Sequence, residues 1–196
     1  MGQAQHDYIA ISNYLTIERE DDVRYEYHNG ELFAMAGGSL THSTICNNVA
    51  GELRGLTRKT GSCVSFNSEM KIEIVKKNKY VYPDAGLACP KLEESENITG
   101  AITNPRLIVE VTSADSEGYD RGNKLKYYFG LPSVLEYLIV AQDKAEVTLW
   151  RQRGDLFKLD TYAGLDAVIS LESIQGELLL QDIYENVVLP KTDEED

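Results

Sequence analysis

The sequence predicts an α/β fold, a mixed β-sheet with helices packed on it. Three observations predict it. Residues 41–58 carry apolar positions at helical spacing. Leu107-Ile108-Val109-Glu110-Val111 is a continuous, largely β-branched run, the pattern of a strand buried on both faces. Along the chain the order is helix, several strands, helix, strands, which suits one sheet covered by helices. The 196 residues, 42% apolar and 26% charged, match the size and balance of one globular domain. A single domain over 1–196 is expected, with a core from about 10 to 190 and an acidic tail at 192–196.

Each element has its own signal. Residues 14–24 read as a short polar helix or lead-in. Tyr25 to Met35 reads as a hairpin, because Asn29-Gly30 supplies the two positive-φ positions of a type I′ turn. Ser39 or Thr41 can cap the next helix. Ile45, Val49, Leu53 and Leu56 share one face of it, and Gly61 stops it. Cys63–Phe66, Met70–Val75 and Tyr80–Ala88 read as strands of a meander, with Lys76-Lys77-Asn78-Lys79 as a turn. Residues 90–105 form a polar connection ahead of the buried run. Residues 116–129 are helical in pattern, ended by Gly130 and Pro132. Val134–Ala141, Val147–Arg153 and, after the turn Gly154-Asp155, Leu156–Tyr162 are further strands. Ser170–Leu180 and Ile183–Val188 carry short apolar pieces.

Composition excludes several classes. No stretch approaches the roughly 18 consecutive apolar residues of a membrane span. The N-terminal residues lack the basic and apolar regions of a secretory signal, so a cytoplasmic location is expected. Cys46, Cys63 and Cys89 are too few and scattered for a disulfide framework or a zinc site, and are expected as reduced thiols. The net charge of −13 argues against unspecific affinity for polyanions. Arg54/Arg58/Lys59, Lys71/Lys76/Lys77/Lys79 and Arg121/Lys124/Lys126 concentrate the cations in three segments, so a basic face is compatible with that average. The lysines from 71 to 79 suit phosphate contacts or an ordinary solvated turn.

Two acids stand out by context. Asp84 lies between Tyr80-Val81-Tyr82-Pro83 and Ala85-Gly86-Leu87-Ala88, and Glu110 lies inside the buried run. Burying one unpartnered carboxylate costs several kcal/mol, and two close together cost more unless a cation neutralises them. A divalent ion such as Mg²⁺ takes hard oxygen ligands, so Asp84, Glu110 and the backbone carbonyl of Val111 form a candidate metal site. Asp120, Lys124 and Tyr128 share one face of the following helix, and Lys124 aimed at the metal would steady a water or a phosphate.

These residues carry a resemblance. Arg24 to Leu32, His42, Tyr82-Pro83-Asp84, Asn104 to Ser113, Asp120 to Lys124, Tyr128 and Leu131 to Tyr137 together resemble the PD-(D/E)XK, restriction-endonuclease-like nucleases, and most closely the Uma-type endonucleases of bacteria. The likeness covers about residues 10 to 190. It implies a restriction-endonuclease-like fold: a central mixed β-sheet flanked by helices, with an added hairpin and C-terminal strands. It implies Asp84 and Glu110 as the motif's acids. The superfamily's Lys is expected two residues after Glu110, where Thr112 stands; in the Uma-type pattern it is displaced onto the next helix, at Lys124. Glu26 matches a further carboxylate of the site and His42 a polar residue lining it. The activity implied is Mg²⁺-dependent hydrolysis of phosphodiesters, with Mn²⁺ as an alternative ion, DNA ahead of RNA as substrate, and a homodimer as the assembly.

A blander account stands beside each residue. Asp84 would be a strand-end carboxylate in solvent, Glu110 the partner of Arg106, and Lys124 a surface partner of Asp120. Glu26 would be an exposed hairpin position, and His42 a core or capping histidine. With Thr112 in place of Lys and a charge of −13, a catalytically silent module that binds nucleic acid or protein is the rival function. A hydrolase of small phosphorylated molecules is a third, and predicts a closed pocket.

Overall fold

The computed structural model describes residues 8–21, 23–35, 37–112, 118, 120–154 and 156–190. Ser113, Asp155, the first part of the 116–129 helix apart from Gly118, and the acidic tail lie outside the described residues.

Helix α1 (Ile11–Asp21) leads into the hairpin of β1 (Tyr25–His28) and β2 (Glu31–Ala34). Asn29 and Gly30 have φ of 49° and 102°, the positive values that the turn requires. Helix α2 (Leu40–Thr60) starts where the side chain of Ser39 accepts the His42 N–H at 3.0 Å, satisfying one of the orphan donors of its first turn. It ends at Gly61, whose left-handed backbone (φ 64°) returns its N–H to the carbonyl of Thr57. Of the predicted stripe, Ile45, Val49 and Leu53 are buried and Leu56 is half-buried against the same core, while Thr57 is buried beside it.

Strands β3 (Val64–Asn67), β4 (Lys71–Ile74), β5 (Lys79–Val81) and β6 (Ala85–Ala88) are not a meander. β3 pairs with β6 and β4 with β5, so the β4–β5 hairpin is nested inside an outer pair and belongs to another sheet. Pro83 explains the division of Tyr80–Ala88 into two strands: it has no N–H to give to a ladder. The polar connection holds a two-residue strand, β7 (Ala101–Ile102), parallel to β4; both its side chains are buried.

Strand β8 (Pro105–Thr112) is followed by a π-helical turn (Asp120–Lys124) and a single α-turn, α3 (Leu125–Tyr128). Then come β9 (Glu136–Ala141), β10 (Glu146–Arg153), β11 (Leu156–Ala163), β12 (Val168–Leu171), β13 (Gly176–Leu179) and the short α4 (Leu180–Ile183). The central sheet has the order β11-β10-β9-β8-β6-β3, and its one parallel pair is β8 with β9. A five-stranded sheet, β2-β1-β5-β4-β7, lies beside it, and β12-β13 forms a two-stranded one.

Alternation along β8 sorts the core. Leu107, Val109 and Val111 pack with Ile45, Val49 and Leu53 of α2 and with the C-terminal Ile169, Leu171, Leu178 and Ile183. Ile108 faces the other way, toward Tyr128, Val134, Tyr137, Ile72 and Val81. Burying side chains of this kind stabilises by about 1.5–3 kcal/mol each. A third cluster stacks Tyr14 on Tyr27 and Tyr80, with ring centroids 5.2 and 5.8 Å apart, and fastens α1 to the smaller sheet.

Cys63 and Cys89 are joined by a disulfide, which corrects the expectation of three reduced thiols. The β3–β6 register, Val64 opposite Ala88, sets the two flanking cysteines face to face with Cα atoms 4.3 Å apart. Cys46 is free. Lys71 is not a phosphate-ready surface cation: it is buried, 2.5 Å from Glu18 and over the rings of Tyr14 and Tyr82. Among the described residues, no helix is long and apolar enough to cross a membrane.

Candidate active site

The β6–β8 register builds the site. Ala85 pairs with Val109, so Asp84, one residue before β6, comes beside Glu110 and Val111. The N–H of Val111 donates to Asp84 Oδ2 at 2.7 Å. The sequence expected this stretch to bury two carboxylates, and both are largely withdrawn from water, with side chains 15% and 4% exposed.

Lys124 reaches Glu110 from the turn after β8. Its ammonium lies 3.0 Å from Glu110 Oε2, 3.5 Å from Asp120 Oδ1 and 3.8 Å from Glu26 Oε1. The hydroxyl of Tyr128, one helical turn further on, donates to Glu110 Oε1 at 2.6 Å. Glu110 is thus held by Lys124 and Tyr128, and Lys124 is no surface lysine. The lysine that the general motif expects at position 112 is replaced by a buried Thr112, while an ammonium arrives from another element.

Glu26 is not an exposed hairpin position. Strand alternation turns Tyr27 into the tyrosine cluster, and Glu26 and His28 to the other face. His28 Nε2 lies 3.1 Å from Glu26 Oε2, so the two meet along one edge of the cleft. His42, in the first turn of α2, puts its Nε2 3.4 Å from Asp84 Oδ2. Glu26, His42, Asp84, Glu110, Val111 and Lys124 therefore line one open cleft of about 360 Å³, with Asp120 and Tyr82.

Among the described residues, four carboxylates (Glu26, Asp84, Glu110 and Asp120) and the Lys124 ammonium line the cleft. Burial pushes the Glu110 carboxyl up to about 8, against the pull of Lys124 and with the push of Asp84 and Asp120. Burial also opposes the charge of Asp84, but its bond to His42, the His42 charge and the Val111 N–H outweigh it and hold the carboxyl below its usual range. Glu26 is lowered likewise: burial is outweighed by His28 and Lys124. The hydrogen bond to Asp84 raises His42 against the effect of burial. For Lys124, burial is overcome by Glu110, Glu26 and Asp120, and the ammonium form is strongly favoured. Burial pushes the Cys46 thiol well up, so it is neutral.

A divalent cation fits this donor set. Among the described residues the carboxylates outnumber the ammonium, and burial, with Asp84 and Asp120 nearby, opposes ionisation of Glu110. Hard oxygens from Asp84 and Glu110 are the ligand type that Mg²⁺ or Mn²⁺ takes.

The sequence reading passes over three neighbours of the site. Asp120 reads only as a helix partner of Lys124, although it lines the cleft. His28 sits two residues from Glu26, which in a strand means the same face, and that spacing was the available signal. Cys46 follows His42 by one helical turn, with Sγ 3.5 Å from His42 Nδ1. His42, Cys46 and Asp84 each offer a ligand atom within 4.8 Å of the others.

A mixed central sheet flanked by helices, carrying an acid-lined cleft at the end of its buried strand, is the restriction-endonuclease-like architecture. In overall fold the chain resembles the crystal structure of a putative nuclease belonging to DUF820 from Anabaena variabilis, with a TM-score of 0.68 at 15% identity over 85% of this chain and 93% of that one. Residues 11–181 match the family model Uma2, described as "Putative restriction endonuclease", and the chain belongs to that family. Two proteins of Synechocystis are also similar. The uncharacterized protein slr1290 is 35% identical over 155 residues, 75% of this chain and 76% of its own length. The uncharacterized protein sll1609 is 29% identical over 147 residues, 75% of this chain and 82% of its own length.

Proposed function

We propose that this chain is a metal-dependent endonuclease that hydrolyses phosphodiester bonds, with DNA as its substrate. The observation that carries the reading is the convergence of Asp84, Glu110 and the ammonium of Lys124 in one open cleft, 3.0 Å separating Lys124 Nζ from Glu110 Oε2. Membership of a family described as restriction endonucleases supports the same activity.

Asp84 and Glu110, with the carbonyl of Val111, would hold Mg²⁺ or Mn²⁺. When bound, such an ion supplies charge stabilisation on phosphoryl oxygens and acidifies its water. The chain's own groups do the rest. Tyr128 fixes Glu110 with one oxygen turned toward Lys124. Lys124 orients the attacking water and stabilises negative charge developing on the phosphate. Glu26, steadied by His28, keeps that ammonium in place, and His42 anchors Asp84. The openness of the cleft suits a polymer better than a small phosphorylated molecule. Two-fold pairing of two such chains would bring one site to each strand of a duplex.

The test is cleavage of supercoiled and linear DNA with Mg²⁺ or Mn²⁺. The wild-type chain should nick or cut, and Asp84→Asn, Glu110→Gln and Lys124→Met should each lose at least a hundredfold in rate. Oxygen-rich metal sites stabilise folds by mass action, so Mg²⁺ should also raise the melting temperature, and Asp84→Asn should abolish that rise. The rival reading, a silent binding module, draws on Thr112 and the charge of −13. It predicts neither a metal-linked thermal shift nor cleavage, with the fold intact.

A further inference from the structure

His42 and Cys46 are one turn apart on α2 and so project from the same face. Asp84 approaches them from the start of β6. His42 Nε2 is 3.8 Å from Cys46 Sγ and 3.4 Å from Asp84 Oδ2, and the three ligand atoms lie within 4.8 Å of one another. A tetrahedral zinc-type ion has metal–sulfur bonds of about 2.3 Å and metal–nitrogen and metal–oxygen bonds of about 2.0 Å. Tetrahedral angles then separate sulfur from nitrogen by about 3.6 Å and nitrogen from oxygen by about 3.3 Å. The observed spacings fall within about 0.2 Å of both, but Cys46 Sγ stands nearer His42 Nδ1, at 3.5 Å, so the imidazole must turn to aim Nε2 at an ion held between sulfur and carboxylate.

The ligand types are also selective. Thiolate and imidazole suit Zn²⁺ and its neighbours in the transition series, whereas Mg²⁺ leaves both for oxygen. Cys46 is outside the disulfide that occupies the other two cysteines, so its sulfur is available.

We propose that His42, Cys46 and Asp84 form a site for a thiolate-binding divalent transition ion of the Zn²⁺ class, with a fourth position left to water. Binding replaces the S–H bond of Cys46 with a sulfur–metal bond, and the proton leaves to solvent. Asp84 belongs to this site and also to the oxygen site proposed above, so the two ions compete for it. In that consequence the inference rests on the nuclease reading: a Zn²⁺-class ion would switch the hydrolytic site off by withdrawing Asp84 from Glu110.

Co²⁺ is the probe, because a thiolate bound to it gives a near-ultraviolet charge-transfer band and a tetrahedral site gives intense visible bands. Titration of the full chain should develop both bands at one Co²⁺ per chain, and one equivalent of Zn²⁺ should bleach them. Cys46→Ser should lose the near-ultraviolet band while keeping its melting temperature within a few degrees, and His42→Ala should weaken binding at least tenfold. Glu110→Gln should keep the cobalt bands although it loses the Mg²⁺ thermal shift, which separates failure of this site from failure of the oxygen site. Absence of a thiolate band in the wild-type chain, or its persistence in Cys46→Ser, would overturn the proposal.

Discussion

Glu110 resists ionisation in its surroundings, and that has a consequence for stability. Its carboxyl is raised from 4.5 in a free chain to about 8 in the fold, chiefly by burial. The folded state therefore binds the proton more tightly than the unfolded one, and stability from this group is full below about pH 4.5 and lost as pH rises through about 8. His42, raised above 6.5, acts in the same direction. Asp84 and Glu26 are lowered, so their contribution is present above the usual carboxylate range and is lost in acid. We predict that the metal-free chain melts at its highest temperature between about pH 4.5 and 6.5, with a decline toward pH 8.5 that Glu110→Gln flattens. Mg²⁺ must displace the Glu110 proton, so the rise in melting temperature it causes should grow from pH 6 to pH 8.5. Calorimetric scans with and without the ion check both; a metal-linked rise that shrinks with pH would contradict the assignment of Glu110 as ligand. Lys124→Met removes the cation among four acids, and should cost about 3–5 kcal/mol without metal, with part recovered in Mg²⁺. At this scale the sequence is informative where a residue offends its local pattern, as the carboxylates of Asp84 and Glu110 do in apolar β-segments. Cys46, His28 and Asp120 offend nothing locally, and only tertiary placement makes them neighbours of the site.

The pairing of β6 with β8 controls the distance between the two principal acids. At its centre Gly86 faces Ile108, and a Cβ built on Gly86 would lie 2.4 Å from Phe66 Cζ and 2.5 Å from the carbonyl oxygen of Leu107. A ring can tilt, but a backbone oxygen inside the sheet yields only if the strands part. Gly86→Ala should therefore destabilise by about 1–3 kcal/mol, a fall of about 3–10 °C in melting temperature, and should diminish the Mg²⁺ response because Asp84 rides on β6. Gly51→Ala is the contrasting variant: a Cβ there meets nothing within 4 Å, and removing glycine from the interior of α2 should raise stability by up to about 1 kcal/mol. Thermal melts of the two variants should move in opposite directions. The elements themselves are largely legible: the Asn29-Gly30 turn, the Ser39 cap, the α2 stripe and the buried β8 all follow from local chemistry. Their partners are not. Alternation in residues 63–88 reads as a meander because period 2 says nothing about which strand lies alongside, and Pro83, which sends β5 and β6 to different sheets, sits inside a stretch that reads as one strand, Tyr80–Ala88. The Cys63–Cys89 bond has the same origin, since a sequence separation of 26 conceals a pairing that only the β3–β6 register creates.

Across the whole molecule, the central sheet ends on β11, eight residues long, with no further strand beside it among the described residues. Leu156, Phe157 and Leu159 on it are 74, 45 and 47% exposed. Long apolar edges of this kind invite pairing with another chain unless charge or a bulge blocks them. β11 is complementary to itself. An antiparallel copy centred on Leu159 sets Lys158 opposite the partner's Asp160, and Leu156 opposite the partner's Tyr162. It also extends the row Tyr137, Trp150, Leu159, which already crosses β9, β10 and β11, into the second molecule. Opposite charges and apolar pairs directly across a ladder each contribute about 0.2–1 kcal/mol. We predict that two chains pair through this edge; because chains of charge −13 repel each other, that pairing should tighten as salt rises, the reverse of a contact dominated by ion pairs. Light scattering after size exclusion, at 50 and 300 mM salt, should show dimer increasing with salt. Leu159→Lys sets two like charges face to face on the two-fold axis, and should leave a folded monomer at both concentrations. A dimer unmoved by Leu159→Lys would transfer the interface to another surface, because no other residue of β11 meets its own copy across that axis.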